Sequence, residues 1–182
     1  MKILFISLGC DKNLADSEEM LGLLTGNGHE IVDSEEEADA IVINTCCFIH
    51  DAKEESVNTI LEMAEYKKTG TCKILIVTGC MAQRYKEEIT KEIPEVDAVL
   101  GTTSYGDIVK ALNEAEAGHV FQEFKDINAL PEDSGRRVIT TGGHFGYLKI
   151  AEGCDKHCTY CIIPSLRGKF RSVPEERLLK QA

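Results

Sequence analysis

Short apolar runs alternate with longer amphipathic segments through the first 117 residues. The apolar runs predict five β-strands, and two of these, Ala40–Asn44 and Ile74–Thr78, contain no charged residue. Strands of that composition are typical of a parallel sheet that is covered on both faces. The other three predicted strands are Lys2–Leu8, His29–Val32 and Val96–Leu100.

Helical periodicity fills the intervals between these strands. After Asp51, which stands in position to cap a helix, apolar residues recur at Val57, Ile60, Leu61 and Ala64 and form one stripe. Strands that alternate with helices predict the α/β fold class, with a parallel sheet flanked by helices. The predicted helices are Leu14–Thr25, Asp51–Lys68, Met81–Glu92 and Gly106–Ala117.

The regular alternation ends at residue 118, which sets the predicted domain boundaries. Residues 1–118 form the α/β domain, and residues 119–146 are predicted to be a linker because they contain "LPEDSGRR" and "TGGHFG". One strand is predicted inside it, at Val138–Thr141. Apolar character returns from Tyr147, and a last helix begins near Pro174. Residues 147–182 therefore open a second domain, and we expect the chain to be part of a longer protein.

Composition indicates a globular protein with metal or redox chemistry. The sequence has 43% hydrophobic and 28% charged residues, without an apolar run long enough to span a membrane. The first run, Ile3–Leu8, is shorter than the roughly 7–15 apolar residues of an export signal, so we expect a cytoplasmic protein. In that reducing compartment, eight cysteines indicate metal binding or redox chemistry rather than disulfides.

The charges are distributed unevenly along the chain. Residues 1–135 carry 11 Lys and Arg against 27 Asp and Glu, whereas residues 136–182 carry 9 against 4. An acidic surface disfavours nucleic acid, because phosphate binding depends on cationic side chains. It suits a basic protein partner, although solubility alone accounts for the acidic charge equally well.

Three cysteines follow three of the predicted strands, at spacings of 36 and 34 residues. They are Cys10, Cys46 and Cys80. Because the carboxyl ends of parallel strands meet at one edge of a sheet, where ligands bind, we expect these thiols to converge there. Three thiolates favour an iron–sulfur cluster or zinc, and zinc would require a fourth ligand from Cys47 or His50. Cys72 lies in a turn outside this pattern.

A second set of three cysteines lies within nine residues, in the segment "GCDKHCTYC". Cys154, Cys158 and Cys161 would occupy three corners of a four-iron, four-sulfur cluster and leave the fourth iron open for a substrate or cofactor. His157 keeps a zinc site open as an alternative. Tyr160 precedes the last cysteine, where an aromatic ring could pack on a cofactor.

Other polar residues do not form a catalytic pattern. We identify no Ser/His/Asp triad and no paired carboxylates, so no side chain is assigned as a catalytic residue. The basic run Arg167–Ser172 is predicted to be a solvated loop, with contact to an anionic substrate as the alternative.

The two cysteine sets together resemble those of the radical S-adenosylmethionine (AdoMet) methylthiotransferases. The spacing Cys154-x-x-x-Cys158-x-Tyr160-Cys161 resembles the radical AdoMet motif, and the dispersed cysteines resemble those of the N-terminal domain of this family. Within the family, "SLGCDKNLADSE", "NTCCFI" and "PSLRGKFRS" are similar to the RimO-type enzymes, which modify an aspartate of a small-subunit ribosomal protein. The resemblance covers the whole chain.

The resemblance implies two 4Fe-4S clusters, one on each cysteine set, with residues 147–182 as the start of a radical AdoMet barrel. The open iron of the second cluster would bind AdoMet, with Tyr160 beside it, and reductive cleavage would give a radical that abstracts hydrogen from the substrate. It also implies an electron donor such as flavodoxin or ferredoxin. A tRNA adenosine methylthiotransferase of the MiaB type and a fragment that only binds clusters are the alternatives. We expect no activity from the chain by itself.

Overall fold

The structure, a computed structural model, describes residues 1–132 and 134–182. Its strands and helices follow the alternation that the sequence predicts. The strands are β1 (Lys2–Ser7), β2 (Glu30–Val32), β3 (Ala40–Thr45), β4 (Ile74–Gly79), β5 (Ala98–Leu100), β6 (Phe121–Glu123), β7 (Ala151–Glu152) and β8 (Arg171–Ser172). The α-helices are α1 (Asp11–Gly26), α2 (His50–Thr69), α3 (Cys80–Glu92), α4 (Ile108–Glu116), α5 (Ile163–Arg167) and α6 (Glu175–Gln181).

Six strands form one parallel sheet in the order β2-β1-β3-β4-β5-β6. The predicted α/β fold class is therefore confirmed. The register aligns the strand ends, since Ser7 lies opposite Asn44 and Thr45 lies opposite Gly79. The sixth strand, β6, falls within the segment that was predicted to be a linker. Its three residues are too few to show the alternation of a longer strand.

Each face of the sheet contributes to a separate apolar core, because successive residues of a strand point to opposite faces. Ile41 and Ile43 of β3 pack on the side of α2 and α3, together with Ile60 and Met81. The intervening Val42 packs on the other side, with residues of α1 and α4. All six residues of β3 and all six of β4 are buried, which explains their wholly uncharged sequences.

Local details differ from the sequence prediction at three points. Helix α1 begins at Asp11, three residues before the predicted start, so the polar residues after Cys10 form its first turn. Helix α2 begins at His50, and Asp51 lies in its first turn without capping it. Residues 138–141 form no strand, and the N–H groups of Val138 and Thr140 donate to the carbonyl and the carboxylate of Glu18 in α1 instead of to a neighbouring strand.

The segment after β6 returns across α1. Its main chain at Val138 donates a hydrogen bond to the carbonyl of Glu18. Strands β7 and β8 pair antiparallel, and the cysteine loop and α5 lie between them in the chain. Helix α6 begins at Glu175, close to the predicted start. Among the described residues, none of the helices is both long enough and apolar enough to cross a membrane.

Candidate metal centre

Three cysteines lie at the carboxyl edge of the sheet, where β1, β3 and β4 end side by side. Cys46 and Cys80 follow β3 and β4 directly, and Cys10 follows β1 after two further residues. The strand order thus places all three predicted residues at the same edge. After β1, the chain adds β2 on one side of β1 and then crosses over to add β3 on the other side. Ligands of open α/β sheets bind at the point where the order of the strands reverses in this way.

Two glycines shape the backbone around these thiols. Gly9 has φ +100°, and a Cβ there would lie 2.8 Å from Cys46 Cβ and 3.1 Å from Cys46 Sγ. Gly79 has φ +93°, and a Cβ there would overlap the side chain of Asn44. At both positions, the positive φ and the lack of space for a Cβ therefore require glycine. The chain leaves β1 and β4 at these glycines and leads to the cysteines.

Helix α2 holds the backbone of Cys46 from the other side. The buried Ser56 hydroxyl donates to the carbonyl of Cys46 at 2.8 Å and accepts from its N–H at 3.0 Å. Both main-chain polar groups of Cys46 thus have partners within the protein, so its thiol is left as the group that a metal can bind.

The three thiols differ in exposure. Cys10 is exposed, whereas Cys46 and Cys80 are 6% and 7% exposed. Burial raises the pKa of the Cys80 thiol, and the nearby Arg167 guanidinium opposes that rise. A buried thiol of this kind becomes a thiolate when a metal or another positive charge compensates the lost hydration.

The residues left open as a fourth ligand occupy different surroundings. Cys47 is 2% exposed and packs in the apolar core, with its S–H donating to the carbonyl of Cys80 at 3.3 Å. Burial raises the pKa of Cys47 to about 11. His50 is exposed at the start of α2. Cys72, the cysteine outside the pattern, is also in the core.

The second cysteine set lies in the loop between β7 and α5. The N–H of Cys154 donates to the carbonyl of Gly168 at 3.1 Å, and the N–H of Cys161 donates to that of Cys158 at 3.0 Å. These bonds close the loop on itself, with Cys158 exposed and the other two thiols partly exposed.

The two further residues singled out in this loop are exposed. His157 adopts a left-handed backbone conformation with φ +48°. Tyr160 is 89% exposed, so its ring makes little contact with the rest of the described chain. Its predicted contact with a cofactor stays a prediction.

A buried cluster of four charged residues joins α1 to the segment that carries this loop, and sequence reasoning missed it. The side chains are less than a tenth exposed and belong to Asp16, Lys149, Glu152 and Arg167. Arg167 Nη1 donates to Asp16 Oδ2 at 2.7 Å, and Lys149 Nζ bonds the other Asp16 oxygen and lies 2.8 Å from Glu152 Oε1.

The cluster corrects the interpretation of the basic run Arg167–Ser172. Arg167 is 6% exposed, so the prediction of a solvated loop is wrong for this residue. Burial acts to raise the pKa of Asp16, but Lys149 and Arg167 together hold it below its ordinary value. The uneven distribution of charge along the sequence was the available signal for this cluster, because acidic residues of α1 pair with basic residues from beyond residue 135.

The donor chemistry of both sets fits iron–sulfur clusters. All eight cysteines are free, and each set offers three soft thiol ligands, the type that such clusters use. The absent Cβ of Gly9 leaves room beside Cys46. Among residues 1–132 and 134–182, no three His, Cys, Asp or Glu side chains are placed to hold a single metal ion. Ligation by either set stays a prediction.

Comparison with known proteins gives matches along the whole chain. Residues 2–101 match the model of a family described as "Uncharacterized protein family UPF0004". The whole chain is 66% identical to the ribosomal protein uS12 methylthiotransferase RimO of Lachnoclostridium phytofermentans and 51% identical to that of Clostridioides difficile. It covers 41% of each relative, so it spans about two fifths of their length. These matches confirm the resemblance to the ribosomal-protein methylthiotransferases.

Proposed function

Because the chain belongs to the UPF0004 family, we propose that it is the N-terminal part of a methylthiotransferase that modifies ribosomal protein uS12. The observation that carries the proposal is the placement of Cys10, Cys46 and Cys80 at one edge of adjacent parallel strands. The relatives, which are named for that activity, are similar to this chain along its entire length.

Each cysteine set would hold one 4Fe-4S cluster. Cys154, Cys158 and Cys161 would hold the second cluster and leave one iron for AdoMet, and Cys10, Cys46 and Cys80 would hold the first cluster. When bound, the two clusters supply reductive cleavage of AdoMet and a source of sulfur, which is chemistry that no side chain provides.

The residues of this chain would position the two clusters and AdoMet and shield them from water. The buried Cys46 and Cys80 lie on the protein side of the first site, and the exposed Cys10 lies on the side from which a substrate can approach. In the second loop, the exposed Tyr160 is available to pack against the adenine or the sulfonium end of AdoMet.

The substrate is an aspartate of uS12, and charge supports a protein substrate over tRNA. Residues 1–135 carry 11 basic and 27 acidic side chains, which suits a basic ribosomal protein and repels nucleic acid. We place the protein in the cytoplasm, since eight free cysteines need a reducing compartment. Reduction of the second cluster calls for an electron donor such as flavodoxin or ferredoxin.

Anaerobic reconstitution with iron and sulfide tests the cluster assignment. We expect two clusters per chain, one lost when Cys10, Cys46 and Cys80 are replaced by Ser, and the other lost when the second set is replaced. The double replacement Cys47→Ser with Cys72→Ser is the matched control and retains both clusters. One tightly bound zinc ion in place of the clusters contradicts the proposal.

The substrate assignment is tested with the longer protein to which the chain belongs. With AdoMet and a reductant, mass spectrometry of uS12 is expected to show one added methylthio group on an aspartate. Transfer to a tRNA adenosine, with none to uS12, refutes the assignment. The 182-residue chain assayed alone is expected to leave uS12 unmodified, because it spans about two fifths of its relatives.

A further inference from the structure

Arg167 belongs to the second cysteine segment, yet its guanidinium reaches the first cysteine set. It ends α5, six residues after Cys161, and it is 6% exposed. Its Nη1 donates to Asp16 Oδ2 at 2.7 Å, and its Nη2 donates to Asn13 Oδ1 at 2.5 Å. Both acceptors lie in the first two turns of α1, between the two cysteine sets.

Asn13 in turn contacts the chain beside all three thiols of the first set. Its side-chain Nδ2 donates to the carbonyls of Leu8 at 2.9 Å and Thr45 at 3.0 Å. Leu8 lies two residues before Cys10, and Thr45 immediately precedes Cys46. Asn13 Oδ1 lies 3.8 Å from Cys80 Sγ. The residue is fully buried, so water does not replace these bonds.

The two contacts depend on each other through the orientation of the amide. A guanidinium has only donors, so Arg167 requires the amide oxygen of Asn13 to face it. The NH₂ group then necessarily faces the two carbonyls at the ends of β1 and β3. Without Arg167, the weak S–H of Cys80 is the only donor left on the amide oxygen among residues 1–132 and 134–182. The two carbonyls would still accept from the NH₂ group, but the buried amide oxygen would lose its charged donor, and the amide would be held firmly from one side only.

We propose that Arg167 and Asn13 are positioning residues that make the placement of Cys10, Cys46 and Cys80 depend on the docking of the second cysteine segment. The inference rests on the proposed function, which assigns those cysteines as ligands. The two cysteine sites are then built as one unit, and the first is fully ordered only when residues 149–167 pack on α1.

The matched control is a second, partly buried arginine that pairs with α1 and bonds the main chain just before the same segment, at Tyr147, without touching the cysteines. Arg137 is paired with the fully buried Glu18 on α1, with Nη2 to Oε2 at 2.5 Å. Arg137→Gln therefore removes a guanidinium that is paired with a buried carboxylate of α1, as Arg167→Gln does. It leaves the Asn13 contacts in place.

The first test follows the cluster on the first set in a background in which Cys154, Cys158 and Cys161 are Ser. After anaerobic reconstitution, iron loss to a chelator is expected to be roughly 10-fold faster or more in Arg167→Gln and in Asn13→Ala. The electron paramagnetic resonance spectrum of the reduced cluster is expected to change as well. Arg137→Gln is expected to stay within about twofold of the background. Equal rates in Arg167→Gln and Arg137→Gln overturn the proposal.

Arg167→Lys separates geometry from charge. Lysine keeps the positive charge but lacks the fork that bonds Asp16 and Asn13 together. The proposal expects the lysine variant to lose iron as fast as Arg167→Gln. Full recovery of the background rate in Arg167→Lys shows that charge alone is sufficient and overturns the positioning role.

A metal-free measurement distinguishes failure of this inference from failure of the proposed function. Without iron, alkylation of the buried Cys46, which has no contact with Arg167 of its own among the bonds described, is expected to accelerate about 10-fold in Arg167→Gln, on the scale of other supporting-residue effects. Arg137→Gln is expected to leave the alkylation rates near those of the background. A background protein that binds no iron refutes the cluster assignment, whereas unchanged alkylation in Arg167→Gln refutes the positioning role.

Discussion

Gly9 offers the sharpest test of how closely the backbone packs around the first cysteine set. The perturbation is Gly9→Ala, and the matched control is Gly28→Ala. Both glycines have positive φ, +100° and +85°. The surroundings differ, because a Cβ at Gly9 meets Cys46 at 2.8 Å whereas a Cβ at Gly28 has nothing within 4 Å.

The expected magnitude separates backbone strain from steric overlap. An alanine at positive φ costs about 1–2 kcal/mol, and this cost applies to both variants. At Gly9 the new methyl group also overlaps Cys46 and lies 3.1 Å from Asn13 Nδ2. Overpacking of this kind costs about 1–3 kcal/mol more. We therefore expect Gly9→Ala to lower the free energy of unfolding by about 1–3 kcal/mol more than Gly28→Ala does.

Urea denaturation of the two variants and the unchanged protein measures this difference. Reconstitution with iron and sulfide gives a second reading, since the methyl group displaces Cys46 only in Gly9→Ala. That variant is expected to retain less cluster on the first set, and Gly28→Ala to retain as much as the unchanged protein. Equal destabilisation in the two variants, with equal cluster content, refutes the argument from close approach.

Three further predictions concern other parts of the chain. Burial, with a contribution from the amino terminus, lowers the pKa of His29, so the unfolded state binds the proton more readily. The free energy of unfolding therefore falls as the pH drops through and below about 6.5, and His29→Gln reduces that slope in denaturation series. Iodoacetamide is expected to label Cys10 well before Cys47, because Cys47 is buried and its pKa is about 11. Asp16→Asn leaves two buried cations short of a partner and is expected to destabilise the chain by about 3–5 kcal/mol in urea denaturation.

Each of these predictions has a result that contradicts it. If the free energy of unfolding of His29→Gln depends on pH as steeply as that of the unchanged protein, this histidine does not contribute to the pH dependence. Labelling of Cys47 at the rate of Cys10 shows that the core around it opens readily. For Asp16, the control is Glu37→Gln, which breaks an exposed ion pair and is expected to leave the free energy of unfolding almost unchanged. Equal losses in the free energy of unfolding in Asp16→Asn and Glu37→Gln contradict the argument that the buried cluster of charged residues stabilises the fold.

The sequence by itself determined the α/β architecture and the cysteine positions. Apolar runs such as Ala40–Asn44 are sufficient to predict buried parallel strands, because only a doubly covered sheet removes all their side chains from water. A cysteine directly after such a run lies at the carboxyl edge of the sheet by connectivity alone. The spacing of Cys10, Cys46 and Cys80 is therefore sufficient to predict their common edge.

Only the tertiary structure decided what the polar residues of α1 do. Asn13, Asp16 and Glu18 are of residue types that are mostly exposed in proteins, yet all three are buried. Their partners are cations more than a hundred residues further along the chain, Arg137, Lys149 and Arg167 among them. The local sequence pattern shows which residues are hydrophilic. It does not show which distant charged residue compensates for the hydration that such a residue loses when it is buried.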